Sequence, residues 1–215
     1  MRIFSAIISV LFSFTVLAAD PAPAPKSNYI EGKDYVVLTG ALMPADPARI
    51  EVLEAFAYPC HACFSFEPIL ASWIKKQQPD VSFVKSHVSF RPEWRHYQRG
   101  YLTVASLNLK ENIHLDIFSA VHVAKKQLTS AQAWADFLAT YGVDKQTVLS
   151  KYDSFGISTQ LKQADARLKS YGVDSTPTLI IAGKYKVSNK LNSHDEVINV
   201  AQFLVDKVRA ERARP

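Results

Sequence analysis

Two cysteines are all that this chain of 215 residues contains. A disulfide scaffold needs more, since one bond across a short loop constrains the unfolded chain little and staples a domain this large poorly. A zinc site is equally short of donors. Two thiolates need two further ligands, and the six histidines form no HxxxH and no second paired cluster, so no metal is expected. Beyond the first nineteen residues, no stretch approaches the run of about 18 apolar residues that a membrane span requires. The formal charge of +5 is spread among acids apart from a basic tail, Lys207 to Arg214. Without a basic stripe or a recognition motif this excludes nucleic acid as a partner and leaves solubility, with mild attraction to an anionic surface.

What is present starts with a leader. Arg2, the apolar run Ile3 to Leu17 and the small residues Ala18 and Ala19 before Asp20 have the form of a secretory signal at 1–19, cut after Ala18 or Ala19. A leader of this kind, poor in Arg, predicts export to a bacterial periplasm, where disulfides persist. Asp20-Pro-Ala-Pro-Ala-Pro25 then opens a stiff linker at 20–31. With 48% hydrophobic residues, the rest at 32–215 can bury a single core.

The cysteines, Cys60 and Cys63, stand three apart between an apolar run, Ile50 to Ala57, and a stretch with helical spacing, Cys60 to Lys76. That predicts a strand-to-helix turn. A thiol at a helix start faces unpaired backbone N–H groups and the positive end of the dipole, so Cys60 is favoured as a thiolate, with Cys63 a turn behind it. The pair reads as redox-active; a structural disulfide and half of a metal site are the alternatives.

Along the chain, a short strand is expected at Tyr35 to Leu38, a loop at Thr39 to Arg49, and a strand at Val81 to Val88. Pro68 predicts a kink in the cysteine helix. From about 91 to 171 the pattern is helical, over Tyr101 to Leu109, Ile113 to Lys126, Ala131 to Tyr141, Lys145 to Tyr152 and Thr159 to Leu168, with Gly100 and Gly156 as breaks. The sheet resumes with Thr178 to Ala182, a turn at Gly183-Lys184 and Tyr185 to Ser188, before a helix capped by Ser193 and packed through Val197, Val200, Phe203 and Leu204. This order predicts an α/β fold with a mixed sheet of four or five strands, helices on both faces and a helical insertion capping one end.

Pro177 begins a run that otherwise reads as a strand. A cis Thr176-Pro177 bond would turn the backbone sharply and leave Thr176 free to pair with an extended peptide; a trans proline at a sheet edge is the alternative. Tyr58, Pro59 and Phe64 fit either an apolar border around the cysteines or the core. The other five histidines, His87, His96, His114, His122 and His194, read as structural or solvated.

Three stretches, Val52 to Glu67, Lys85 to Phe90 and Gly172 to Tyr185, resemble the DsbA family of periplasmic thiol:disulfide oxidoreductases, and the resemblance runs from about Gly32 to Val208. It implies a thioredoxin-like fold, with the helical insertion between the third strand and a cis-proline hairpin, and a donor of disulfides to unfolded, newly exported proteins. In that resemblance Cys60 is the attacking cysteine, Cys63 its buried partner, and Thr176-Pro177 the cis-proline loop that docks the substrate. Glu54 and Lys85 match a charged pair beneath the site. A lone buried Glu54 is costly unless paired, and Lys85 on the next strand supplies the partner, either as a structural ion pair or to exchange protons with Cys63. The resemblance also implies reoxidation by a quinone-linked membrane partner of the DsbB type.

One departure stands out. The family's usual dipeptide between the cysteines is Pro-His; here it is His61-Ala62, with the proline outside at Pro59. A cationic His61 would favour the Cys60 thiolate, and the change predicts an oxidant milder than the strongest of the family. The rival readings are a reductase or isomerase and a thioredoxin-like interaction domain without turnover. No room for an N-terminal dimerisation domain separates the leader from the first strand, so a monomer is expected.

Overall fold

Every residue of Ile50–Phe56 is buried, as a strand covered on both faces requires. In the computed structural model, which describes residues 29–44, 46–107, 109 and 113–214, this strand lies inside the sheet, paired along both of its edges. The leader expected at 1–19 and the proline-rich part of the linker lie outside the described residues.

In chain order the elements are β1 (Tyr35–Val37), β2 (Ile50–Phe56), α1 (His61–Ile74), β3 (Val81–His87), α2 (Trp94–Ala105), α3 (Ile113–His122), α4 (Ala131–Ala139), α5 (Lys145–Tyr152), α6 (Phe155–Ser170), β4 (Thr178–Ile181), β5 (Tyr185–Val187) and α7 (His194–Arg212). The five strands lie in the order β1-β5-β4-β2-β3. β3 runs parallel to β2 and puts Lys85 opposite Glu54, whereas β4 is antiparallel and puts Leu179 on the other side of Glu54. The mixed sheet matches the expectation.

Alternation along the strands divides the core. Ile50, Val52, Leu179 and Ile181 face Phe66, Leu70 and Trp73 of α1 and Val200, Leu204 and Val205 of α7. Leu53, Ala55 and Ile180 face the opposite side, against Leu168 of α6 and Tyr171. A third core, formed by Phe56, Tyr58 and Cys63 with Phe118, Trp134 and Leu138, joins the helical cap to the end of β2. The cysteine helix therefore lies at the junction of sheet and cap.

Several expected boundaries move, each for a tertiary reason. α2 begins at Trp94 rather than Tyr101 and carries Gly100 in its interior. A Cβ at Gly100 would stand 1.9 Å from Cε2 of Trp134, so glycine is there for the approach of that ring and is no break. α6 likewise starts at Phe155 and passes through Gly156, its N-terminus capped by Ser154, which accepts from the Ile157 amide. α3 and α4 end at His122 and Ala139, earlier than their apolar patterns suggest.

The hairpin turn is displaced by one residue. Lys184 N–H donates to Ile181 C=O at 3.0 Å, and the two central residues, Ala182 and Gly183, both have positive φ, of 54° and 64°. Ser193 does open α7, accepting from the Glu196 amide. α1 runs unbroken through the exposed Pro68, which forgoes one helical hydrogen bond.

Candidate active site

β2 ends at Phe56, and Ala57-Tyr58-Pro59 turns the chain into α1 with Cys60 as its N-cap. Cys60 has extended backbone angles, φ −81° and ψ 112°, and its amide donates to Ala57 C=O at 3.0 Å. Its sulfur occupies the place of a capping oxygen and accepts from the Cys63 amide at 3.2 Å. The amide that reaches this sulfur belongs to the first turn of the helix, where the dipole also favours negative charge.

The two thiols are free and differ sharply. Cys60 is half-buried, and the Cys63 hydrogen bond, opposed by partial burial and reinforced by the Cys63 and Ala62 amides, draws its pKa down to about 6. Cys63 is fully buried, and burial pushes its thiol far above the ordinary range, with the nearby charges of Cys60 and Glu54 adding to the rise. One sulfur is set up to be a thiolate and the other to keep its proton.

Thr176-Pro177 is cis, and the Thr176 carbonyl lies 3.5 Å from the Cys60 sulfur, within reach of the thiol as donor. Thr178 ties the loop by donating to Ser175 C=O at 2.9 Å. Beside this loop runs a cleft of about 460 Å³, walled by Ala62, Thr176, Pro177, Leu179, Leu191 and His194.

Glu54 and Lys85 meet as their register requires, and Lys85 also contacts Glu67 Oε1 at 2.6 Å. Glu54 is fully buried with Oε1 unpartnered, and burial raises its pKa to about 7 against the pull of Lys85. Burial would raise Glu67 too, but the hydrogen bond from His114 and the charge of Lys85 hold it below the usual carboxylate range. Burial lowers the pKa of Lys85, but the charges of the two carboxylates outweigh that and hold it above the ordinary lysine value.

His61 is exposed at the start of α1, with its ring 5.5 Å from that of His122. Among the described residues no hydrogen bond joins it to the Cys60 sulfur, whose polar contacts are with Cys63 and Thr176. Of the three aromatic or proline candidates for a border, Tyr58 is core: it is 1% exposed, while Pro59 and Phe64 remain half-buried. Every polar group of Tyr58 is held. Its amide donates to His87 Nε2 at 3.0 Å, its hydroxyl meets His114 Nδ1 at 3.0 Å, and its carbonyl accepts from His122 Nε2 at 2.7 Å.

These contacts explain the histidines. His87 accepts on Nε2 and gives Nδ1–H to the Val88 carbonyl at 2.7 Å, which defines a neutral ring, and burial holds its pKa down at about 3. His114 and His122 are structural, as the sequence reading allows, and both hold Tyr58 at the turn before Cys60. The ring of His122 stacks on Phe64 with centroids 5.0 Å apart. Glu67 was legible in principle, since it follows Cys63 by one helical turn and shares its face. His114 carries no local signal.

Comparison with known proteins agrees with this geometry. A family model described as a DSBA-like thioredoxin domain matches residues 51–204. The thiol:disulfide interchange protein DsbA of Pseudomonas aeruginosa is 35% identical over 188 residues, covering 87% of this chain and 89% of that protein. The protein of the same name from Burkholderia cepacia is 35% identical over 208 residues, covering 96% and 98%. The crystal structure of Pseudomonas aeruginosa DsbA superposes with a TM-score of 0.82 over 86% of this chain and 97% of that one. With its sheet, its helical cap, its cysteine pair at a helix start and its facing cis-proline, the chain belongs to the DsbA family of thiol:disulfide oxidoreductases with a thioredoxin-like fold.

Proposed function

We propose that Cys60 and Cys63 carry the enzyme's exchange reaction and that their disulfide is donated to newly exported proteins in the periplasm. The observation that carries this reading is the asymmetry of the pair, a favoured thiolate at Cys60 against a buried, proton-retaining Cys63. A thiolate that is stable when released makes the disulfide containing it easy to break, so the reduced form is favoured and the pair oxidises its substrates.

In the proposed cycle a substrate thiolate attacks Cys60 Sγ of the oxidised pair. The Cys60–Cys63 bond breaks, a mixed disulfide forms, and Cys63 leaves as a thiolate that takes a proton. A second substrate thiolate then attacks the substrate sulfur of the mixed disulfide and expels Cys60 as a thiolate. Two substrate thiols have been oxidised and one enzyme disulfide reduced.

Thr176 and Pro177 hold the substrate backbone beside Cys60, and Glu54, paired with Lys85, supplies the proton to Cys63. His61 has a lesser role, as an exposed group at the rim that adds positive charge when protonated. Reoxidation falls to a quinone-linked membrane partner of the DsbB type, and the segment at 1–19 serves as the export signal. Among the described residues no helix is long and apolar enough to cross a membrane.

The test is catalysed oxidation of a reduced, unfolded protein containing two cysteines, with the enzyme supplied oxidised. Stoichiometric disulfide transfer, absent in Cys60→Ser, is expected. Reduction of substrate disulfides in its place, or no transfer in either direction, would reverse the reading.

A further inference from the structure

The charged pair under the cysteines is part of a trio. Lys85 Nζ contacts both Glu54 Oε2 and Glu67 Oε1, and both carboxylates are buried. Two carboxylates around one ammonium leave one surplus negative charge, so a proton shared between them relieves the site. The two positions are not equivalent for the chemistry: the charge of Glu54 is the one that bears on Cys63.

His114 supplies an asymmetry between them. Its Nε2 lies 3.1 Å from Glu67 Oε1, and its Nδ1 lies 3.0 Å from the Tyr58 hydroxyl, whose only hydrogen-bond partner among the described residues is that nitrogen. Tyr58 O–H therefore donates to Nδ1, and Nε2–H donates to Glu67, the arrangement of a neutral ring. Glu67 then receives two donors on one oxygen. Glu54 receives only Lys85 and has a buried oxygen with no partner at all. Charge is better tolerated where donors converge, and a proton is better placed where they do not.

We propose that His114 is a positioning residue that decides which of the two buried carboxylates carries the proton shared across Lys85, keeping it on Glu54. The titratable and charged groups that bear on the ring are Glu67 from α1, Lys85 and His87 from β3, and Tyr58 from the turn. Burial and the charge of Lys85 outweigh the pull of Glu67 and keep the ring neutral, which preserves its donor to Glu67. The consequence rests on the exchange chemistry proposed above. When Cys63 leaves as a thiolate, the proton passes from the Glu54 carboxyl to sulfur, giving a Cys63 thiol and a Glu54 carboxylate, with Glu67 unchanged.

The test is the titration of the Glu54 and Glu67 carboxyl carbons by NMR in the reduced protein, for the wild type and for His114→Leu, His114→Thr and His114→Gln. It uses no substrate, so its failure is distinct from failure of the disulfide-transfer assay. Leu and Thr lack a donor that reaches Glu67, and either is expected to lower the Glu54 midpoint by about one pH unit and raise that of Glu67. Gln keeps an amide donor and is expected to stay near the wild type. Either of the first two variants, once a dispersed amide spectrum shows it folded, is sufficient. An unmoved Glu54 midpoint, or a Gln variant displaced as far as Leu, would overturn the proposal.

Discussion

The amide of Cys63 donates to the sulfur of Cys60 across 3.2 Å, so the backbone of the buried cysteine stabilises charge on the accessible one. The contact exists because Cys60 is the N-cap of α1 and not its first helical residue. Chemistry at this site thus follows from a local rule of helix starts, which ties sulfur reactivity to the conformation of one residue.

The division of labour between the sulfurs predicts opposite behaviour of two serine variants. Cys63→Ser keeps the Cys60 thiolate and loses the group that resolves it, so with disulfide-containing substrates, where Cys60 attacks one sulfur and the other leaves as a thiolate, it should accumulate mixed disulfides, visible as a mass shift on non-reducing gels. Cys60→Ser should form none and should fall to the uncatalysed rate of disulfide transfer.

Close approach at Gly100 predicts a specific fragility. Adding one methyl places it 1.9 Å from the Trp134 ring, and Gly100→Ala should cost about 1–3 kcal/mol or more, read as a lowered urea midpoint. In a Trp134→Leu background the same change should cost much less, because the obstructing ring is gone.

Much of this architecture is legible in the sequence. The cysteine turn and the Ser193 cap come from local patterns, the Glu54–Lys85 pair came with the family resemblance, and Lys145–Tyr152 has the bounds its spacing predicts. The cis state of Thr176-Pro177 needed the family resemblance to decide it. What was not readable depends on distant partners. Gly100 looked like a break because Trp134 is remote in sequence, and α2 looked late because Trp94 to Gly100 is polar and aromatic. Tyr58 gave no sign that three histidines would hold it, and the Glu67–His114 bond joins α1 to a helix 47 positions away.

Burial of Glu54 predicts a pH dependence of stability with a definite sign. Its folded pKa, about 7, lies above the ordinary value of 4.5, so between these limits the native state binds more protons than the unfolded chain. Stability from this group is greatest below about pH 4.5 and is lost as pH rises through about 7, by roughly 3 kcal/mol in all. Glu54→Gln removes the titration, so its stability relative to the wild type should rise with pH across that window in denaturant melts.

His87 imposes the opposite slope at the acid end. Its folded pKa is held at about 3, well under the ordinary 6.5, so the unfolded chain takes up the proton first and stability falls as pH drops from about 6.5 towards 3. His87→Gln can keep one donor and one acceptor without titrating, and should show a flatter acid limb in thermal melts at a series of pH values.

The most direct test of the account is the pH titration of the Cys60 thiolate, followed by its ultraviolet absorbance in reduced protein and by the rate of alkylation, with Cys63→Ala to assign the signal. A wild-type midpoint at about 6 is predicted, with a higher one in Cys63→Ala, which loses the side-chain contribution and keeps the amide. A midpoint near the ordinary thiol value of about 8.5 would contradict the account, because Cys60 would then be no better a leaving group than any exposed cysteine.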